Sequence, residues 1–417
     1  MDIVTIVLAL SIAAGFLMAF SLGANDVANS MAAAVGAKAV TIRQAVVIAA
    51  VLNCVGSIFL GAEVASTISR GIINPDVIDD HFLLMLGMFA ALLSSGLWVL
   101  IATLTGLPVS STHSIVGSIL GLGLVLGGPD VVQWKVMIGI VLAWILSPFT
   151  GAVISYFIFV HIRRTILWSR DMLKGALRWM PFWLGLTLVL IFLSLLYKTP
   201  MGKKWDLGWG VGLLCAAAIM GLVLILGKKL FPALIRKNQR KNPDDSKEEQ
   251  VDGMFRRMQL CTSCYVALSQ GANDVANAIG PVAAIYLIAR EHRLTSAVEV
   301  PLWLLILGGA GIALGIFFLG HKVMATVGER ITKMNNSRGF AVAFGAATTV
   351  LMASNLGMPV STTHASVGSV VGVGLARGFA AVDFRVLGKI VLYWVLTVPI
   401  AAFSCILIFT LLRWTFT

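Results

Sequence analysis

A polar segment of seven residues, Gly-Ala-Asn-Asp-Val-Ala-Asn, occurs twice in the chain, at 23–29 and again at 271–277. Each copy lies at the end of an apolar run and supplies one carboxylate and two carboxamides. Such groups are costly inside a bilayer and are kept there mainly when they bind something. Because their oxygens suit a hard monovalent cation, the repeat predicts a cation site. The candidate ligands are Asn25, Asp26, Asn29, Asn273, Asp274 and Asn277.

A second motif is also repeated, as Pro-Val-Ser-Ser-Thr-His at 108–113 and Pro-Val-Ser-Thr-Thr-His at 359–364. Proline favours the first turn of a helix, so Pro108 and Pro359 are expected to begin half-helices whose free N–H groups attract an anion. The hydroxyls beside them are donors without charge, which suits a tetrahedral oxyanion. The predicted anion ligands are Ser110, Ser111, Thr112, His113, Ser361, Thr362, Thr363 and His364.

Each group of residues also has a purely structural interpretation. A serine or threonine can bond back to its own helix, and a buried aspartate can cap a broken helix. The matched histidines are more often packed core residues, and proton sensing or anion contact is the alternative. If both ions bind, each cancels charge that is costly at low dielectric, so each would favour binding of the other.

The composition places these motifs in a membrane. Of the 417 residues 58% are hydrophobic and 12% are charged, too little polar surface for a soluble protein of this size. The formal charge of +12 comes from basic clusters between apolar runs, which is typical of cytoplasmic loops and argues against nucleic-acid binding. The chain has no ATP-binding P-loop motif and no nucleophile with an assignable base, so we expect neither an ATP-driven pump nor an enzyme.

Twelve apolar runs predict an all-α polytopic protein. They cover about 3–22, 43–62, 82–105, 108–126, 134–160, 181–197, 209–232, 260–289, 299–320, 339–355, 359–376 and 386–412. The glycine-rich runs 108–126 and 359–376 are candidates for half-helices or re-entrant hairpins.

The repeated motifs divide the chain into a repeat at 1–160, a linking segment with two spans at 161–258, and a second repeat at 259–417. Seven spans, an odd number, precede the second repeat, so the two repeats are expected to be inverted, with broken helices around a shared site at the midplane. The distribution of lysine and arginine favours a cytoplasmic loop at 233–258, with both termini outside.

The two motifs, each present twice, resemble those of the inorganic phosphate transporter (PiT) family, and the similarity covers nearly all of both repeats. The resemblance implies symport of phosphate with a cation, and it is greatest to the sodium-coupled branch. It also implies a homodimer in the cell membrane that uses no cofactor besides the coupling ion. Asn53 departs from the pattern, because members of this family often carry Glu there, which leaves the number of coupled cations open. A proton-coupled phosphate permease and a sulfate or related oxyanion permease remain alternatives.

Overall fold

The computed structural model is mainly helical in the residues it describes, with turns between the helices and one isolated bridge between Ile73 and Val132. These are residues 2–62, 73, 80–198, 202, 205, 207–241, 246–291, 300–355 and 360–416. The twelve main helices in this part of the chain are α1 (Ile3–Gly36), α2 (Ile42–Leu60), α3 (His81–Leu104), α4 (Ser111–Gly127), α5 (Trp134–Ile162), α6 (Met172–Lys198), α7 (Trp209–Lys241), α8 (Lys247–Glu291), α9 (Leu302–Ala325), α10 (Asn336–Asn355), α11 (Thr362–Arg377) and α12 (Phe384–Phe416).

Each apolar run of the sequence corresponds to one of these helices. Nine of the helices in the described part are long and apolar enough to cross a membrane, and α4, α10 and α11 fall outside that group. At about 1.5 Å per residue, α4 with 17 residues and α11 with 16 are shorter than a ~30 Å hydrocarbon layer. Large apolar side chains such as Phe149 and Phe403 are about 70% exposed, which is the surface expected to face lipid. The chain is therefore an integral membrane protein.

Local sequence signals set several helix starts. Asp2 accepts a hydrogen bond from Thr5 N at the start of α1, and Asp80 caps α3 in the same way. Thr41 and Gln44 form a reciprocal capping box at the start of α2. These caps pair backbone N–H groups that would otherwise lack a partner in the first helical turn.

The segment predicted as a loop at 233–258 is mostly helical, which corrects the sequence interpretation. Helix α7 continues to Lys241, and α8 already begins at Lys247. The start of α8 is a second capping box, in which Ser246 and Glu249 bond each other reciprocally. The high charge of this segment suggests a loop, but lysine, arginine and glutamate are good helix formers.

Close helix contacts occur in pairs that follow the sequence repeat. Gly23 of α1 lies against the main chain of Ile312 in α9, and its repeat mate Gly271 of α8 lies against Asn53 in α2. Helices α1 and α8 each therefore pack on a helix from the other half of the chain. The Gly-x-x-x-G pairs make the same kind of contact in both repeats. Gly117 and Gly121 of α4 contact α12, and Gly368 and Gly372 of α11 contact α5.

This packing explains where polar groups can collect. Glycine contacts bring α1 close to α9, α8 close to α2, α4 close to α12 and α11 close to α5. In the interior of this bundle α1 also contacts α8 and α11. The division into 1–160, 161–258 and 259–417, and the inverted direction of the repeats, remain predictions.

Candidate functional site

The Asp26 carboxylate lies at the centre of a buried network of hydrogen bonds. Ser111 Oγ donates to Asp26 Oδ2 at 2.6 Å, and Thr363 Oγ1 is 3.1 Å from Asp26 Oδ1. Asn29 Nδ2 approaches the same Oδ1 at 3.3 Å. Asp26 itself is 1% exposed. The first heptad and the hydroxyls of both copies of the second motif therefore meet at one carboxylate.

Asn29 extends this network to α11. Its Nδ2 atom lies 3.0 Å from Thr363 Oγ1 and 3.3 Å from Thr362 Oγ1, while its main-chain oxygen accepts from Ser366 Oγ at 3.0 Å. Its Oδ1 atom is buried and has no hydrogen-bond partner among the described residues. An unpaired buried carbonyl oxygen is costly unless something binds it.

Asn25 has a different position from the one expected of a cation ligand. Its Nδ2 donates to Thr103 Oγ1 at 3.0 Å and to the Leu107 carbonyl at 3.1 Å, and its Oδ1 accepts from Val109 N at 3.1 Å. These bonds tie α1 to the turn that joins α3 and α4. Because both ends of this carboxamide are engaged, Asn25 positions the hydroxyl motif in this structure.

The second heptad lies on α8 and faces the first. Asp274 is 2% exposed and is close enough to interact with the Asp26 carboxylate and with the side chains of Gln270 and Asn273. Asn277 is fully enclosed, and its Nδ2 atom lacks a hydrogen-bond partner within the described part of the chain. The two heptads therefore have different surroundings. In the first, donors from α4 and α11 surround Asp26. In the second, Asn277 has an amide donor without an acceptor among the described residues.

The serines that precede α4 and α11 cap their own helices. Ser110 Oγ accepts from His113 N, and Ser361 Oγ accepts from His364 N, both at 3.2 Å. The expectation that Pro108 begins a helix is wrong, because α4 starts three residues later, at Ser111. Ser110 is the N-cap of α4, because its side chain pairs a backbone N–H that would otherwise lack a partner. Pro359 lies outside the described residues.

Thr112 is buried at the first turn of α4, beside Ser111. The first N–H groups of α4 and of α11, those of residues 111–112 and 362–363, precede the first intrahelical hydrogen bonds. Together with the positive ends of the two helix dipoles, they form two anion-attracting ends next to the Asp26 network.

The two histidines form a symmetric aromatic cluster behind the motif. His113 packs on Trp144 with ring centroids 3.6 Å apart, His364 packs on Trp394 at 3.8 Å, and the two imidazoles meet edge to face at 4.4 Å. His113 Nδ1 lies 3.2 Å from the Trp394 carbonyl, and His364 Nδ1 lies 2.9 Å from the Trp144 carbonyl. Their role as anion contacts stays a prediction, and this packing favours a structural role.

Gln270 is a site residue that motif reasoning missed. It precedes the second heptad, its Nε2 donates to the Asp26 carbonyl, and its Oε1 is buried without a partner in the described residues. The matched position in the first repeat is Leu22, so the repeat comparison could not find it. The available signal was an amide side chain immediately before the second heptad, within the apolar part of α8.

A narrow cavity of about 30 Å³ reaches this network from between α8 and α10. Its walls include Asn29, Gln270 and Thr362 from the polar network, and Tyr265 and Ser269 from the preceding turns of α8. The cavity therefore lies on the side of the site where α8 begins.

The heptads also lie inside continuous helices. Helix α1 runs past Asn29 to Gly36, and α8 runs from Lys247 to Glu291 through the second heptad. The interruption falls instead between α3 and α4, at residues 105–110. The alternative that Asp26 caps a broken helix is thus wrong, because this residue is in mid-helix.

A membrane-embedded bundle in which buried carboxylates, amides and hydroxyls meet beside a narrow cavity is the arrangement of a transporter for small ions.

Residues 22–405 match the family described as the phosphate transporter family, and the chain belongs to that family. It is 48% identical over 404 residues to a protein of Pyrococcus furiosus provisionally named a phosphate permease, covering 97% of this chain and 95% of that protein. A Haemophilus influenzae protein with the same provisional name is 38% identical, with 96% of both chains covered. The family consists of transporters and not of enzymes.

A solved structure described as the sodium-dependent phosphate transporter superposes with a TM-score of 0.87 at 43% identity. The match covers 98% of this chain and 99% of that chain. The helical transporter fold and the resemblance to phosphate transporters predicted from the two motifs are confirmed.

Proposed function

We propose that this protein is a symporter that couples the movement of inorganic phosphate to sodium. The observation that carries the proposal is a pair of buried oxygens without partners, Asn29 Oδ1 and Gln270 Oε1, in the residues around the Asp26 carboxylate. Both residues also border the cavity. Neutral oxygens of this kind, together with the charged Asp26 carboxylate, fit a hard monovalent cation. The sodium dependence in the name of the 43% identical neighbour supports the choice of ion.

Phosphate would be bound by the hydroxyls and N–H groups at the amino ends of α4 and α11. Ser111 has one hydroxyl proton, and it is directed to Asp26 Oδ2. Thr363 has two acceptors within reach, Asp26 Oδ1 at 3.1 Å and the Val109 carbonyl at 3.2 Å. A hydroxyl cannot serve Asp26 and an anion at the same time.

This competition provides a physical cause for coupling. A sodium ion at Asp26 compensates the carboxylate charge, so Ser111 and Thr363 become free to donate to phosphate. Phosphate without the cation would have to compete with Asp26 for those donors and would face its negative charge. The remaining predicted ligands on α8, which are Asn273, Asp274 and Asn277, would complete the site.

The transport cycle would exchange the environments of the two halves. In this structure Asp26 is enclosed by donors, and the cavity lies on the side of Tyr265 and Ser269, in the half of α8 that begins at Lys247. With the lysine- and arginine-rich segment 228–257 in the cytoplasm and both termini outside, this would be an inward-facing arrangement in the cell membrane. Accessibility of single cysteines placed at residues 243 and 416 to a membrane-impermeant thiol reagent in intact cells tests the orientation: only the second should react.

A homodimer is part of the proposal, because the resemblance to the family implies it. Native mass spectrometry of the protein released from detergent would measure it, and a monomer at all concentrations would contradict it.

The experiment for the proposed function is uptake of labelled phosphate into proteoliposomes under a sodium, potassium or proton gradient, with sulfate as competitor. We expect uptake that needs sodium and resists sulfate. Uptake driven by a proton gradient alone, or equal competition by sulfate, would instead support a proton-coupled phosphate permease or a general oxyanion permease.

Charge-neutral variants test which carboxylates are responsible. Asp26→Asn and Asp274→Asn are each expected to abolish sodium-driven uptake while the protein remains folded by gel filtration and circular dichroism. The matched control is Asp130→Asn, which removes an exposed carboxylate from the turn between α4 and α5. Normal uptake by either of the first two variants would contradict the assignment.

A further inference from the structure

A second concentration of polar groups lies far from the transport network, at the carboxyl end of α11. The connections between α9 and α10 and between α11 and α12 form the walls of a solvent-open pocket of about 720 Å³. We call it the basic pocket, because its lining includes Lys333, Arg377 and Arg385, with Asp383 as the one carboxylate. The transport motif Ser361–His364 is at the opposite end of α11.

The guanidinium of Arg377 in this lining meets the guanidinium of Arg338 behind it. Arg377 Nη1 donates to Thr332 Oγ1 at 3.1 Å and to the Lys333 carbonyl at 3.3 Å. Arg338 Nη1 donates to the same Lys333 carbonyl at 3.0 Å. The Nε atom of Arg338 is buried and has no hydrogen-bond partner among the described residues. Like charges that converge on one carbonyl repel each other unless an anion compensates them.

The nearby carboxylates provide only part of that compensation. Asp383 Oδ1 accepts from Arg385 N and Val386 N and so caps α12. Asp252 accepts from Asn336 Nδ2, and its charge also acts on the Arg338 guanidinium. Neither carboxylate forms an ion pair with these guanidiniums in the part of the chain that the structure describes. The pocket is therefore net positive.

Two ordinary explanations for basic residues do not account for the arrangement. An arginine at the end of a helix can neutralise the helix dipole. Arg377, however, donates to Thr332 and to the Lys333 carbonyl. The carbonyl of Ala376 at the end of α11 accepts from Arg163 Nη1 instead. A topology signal requires only solvated charge in a loop. It does not require guanidiniums that converge with a buried, unpaired N–H.

The first repeat is an internal comparison. The short turn Pro129–Val131 after α4 corresponds to Phe379–Ala381 after α11. Aligned on these turns, Gly127 takes the position of Arg377, and Lys135 takes that of Arg385. The fold forms the same corner without the arginine. The guanidinium at this corner is therefore a feature of one face of the protein.

We propose that the basic pocket binds a phosphate-bearing anion, held by the guanidinium of Arg377 with Arg338 behind it and Arg385 at the rim. Guanidinium donors match phosphate oxygens in a bidentate geometry. A pocket of this kind at the membrane edge fits the headgroup of an anionic phospholipid, and free inorganic phosphate has the same chemistry. The site is separate from the transport network and does not depend on the proposed coupling ion.

The test measures the unfolding temperature of the purified protein in an uncharged detergent. The probes are short-chain phosphatidylglycerol, short-chain phosphatidylcholine as the neutral headgroup, and inorganic phosphate. The variants are Arg338→Gln/Arg377→Gln, which removes both guanidiniums, and Arg385→Gln, whose exposed side chain makes loss of folding improbable as a confounding effect. Arg170→Gln is the matched control, since it removes the same charge from an exposed position on the same predicted face outside the pocket.

A ligand that binds only the folded state raises its unfolding temperature by an amount that grows with the logarithm of the ligand concentration relative to Kd. Phosphatidylglycerol is expected to stabilise the wild type and Arg170→Gln, and phosphatidylcholine to stabilise neither. Arg385→Gln should need at least about tenfold more phosphatidylglycerol for the same shift in unfolding temperature. This is the loss of affinity expected when one charge-assisted hydrogen bond is removed. The double variant should show no shift.

Inorganic phosphate distinguishes the two sources of the anion. An equal shift in the wild type and the pocket variants assigns phosphate to the transport site and the pocket to the lipid headgroup. A larger shift in the wild type assigns the pocket to free phosphate. The proposal is overturned if phosphatidylglycerol stabilises the wild type and all the pocket variants equally, or if neither phosphatidylglycerol nor phosphate distinguishes the wild type from them.

Discussion

The first residue of the first heptad has too little space for any side chain, and this leads to a sharp prediction for Gly23→Ala. A Cβ atom at Gly23 would lie 2.0 Å from the carbonyl oxygen of Ile312 and 2.7 Å from its Cα. Both are main-chain atoms of α9, so no side chain can turn away to make room. The repeat mate Gly271 has the same restriction, at 2.1 Å from the Asn53 carbonyl oxygen.

The magnitude follows from the geometry. Ordinary contact begins at 3.4 Å, so α1 and α9 must separate by about 1.4 Å to accept the methyl group. Overpacking of this kind costs about 1–3 kcal/mol or more. The better helix propensity of alanine recovers only ~1 kcal/mol. The same displacement would pull Asp26, three residues along α1, away from Ser111, whose hydroxyl is 2.6 Å from the carboxylate.

Gly23→Ala should therefore lower the unfolding temperature of the purified protein and reduce phosphate uptake in proteoliposomes. The matched control is Gly139→Ala in α5, where an added Cβ meets nothing within 4 Å. That control should be neutral or stabilised by up to ~1 kcal/mol, with normal uptake. If Gly23→Ala proves as stable and as active as the wild type, the close contact does not exist as described and the reasoning fails.

Three further predictions concern single side chains. Ser111→Ala removes a hydroxyl donor assigned to phosphate and should weaken phosphate binding by about 1–3 kcal/mol, seen as a higher phosphate concentration for half-maximal uptake; an unchanged value would contradict its role. Asn25→Ala should lower the unfolding temperature by the loss of bonds worth ~0.5–1.5 kcal/mol each, with no loss meaning that the α3–α4 turn is held by other contacts. The Lys174 N–H that donates to Asp171 holds the pKa of this carboxyl below its ordinary value of 3.8. Its contribution to stability is thus present above that value and lost as the pH falls through the lowered pKa, so the difference in unfolding temperature between the wild type and Asp171→Asn should disappear in acid.

The helices were largely predictable because each apolar run marks a stretch that lipid or the protein interior can accommodate. The continuity of α1 and α8 through their polar heptads could not be predicted from the sequence. A buried Asp26 does not interrupt a helix, because the backbone hydrogen bonds stay within the helix and only the side chain needs partners. Polar residues in an apolar run thus indicate a binding site and do not indicate a break in the helix.

The candidate ligands were found by repetition, and that method has a defined limit. It found Asp26, Ser111 and Thr363, which do meet in one network. It could not find Gln270, because its repeat mate is Leu22. It also could not separate Asn25, a residue that fastens the α3–α4 turn, from Asn29, because the partners of each depend on three-dimensional packing.

The most direct test of sodium coupling is exchange of labelled phosphate across proteoliposomes with sodium removed from both sides. The account predicts almost no exchange, because without the cation Asp26 retains the hydroxyl donors of Ser111 and Thr363, and a carrier loaded with phosphate alone would keep uncompensated charge in a low-dielectric interior. Restoring sodium equally on both sides should restore exchange without any gradient. Rapid exchange in the absence of sodium would show that phosphate moves without the cation, and the proposed coupling at Asp26 would be wrong.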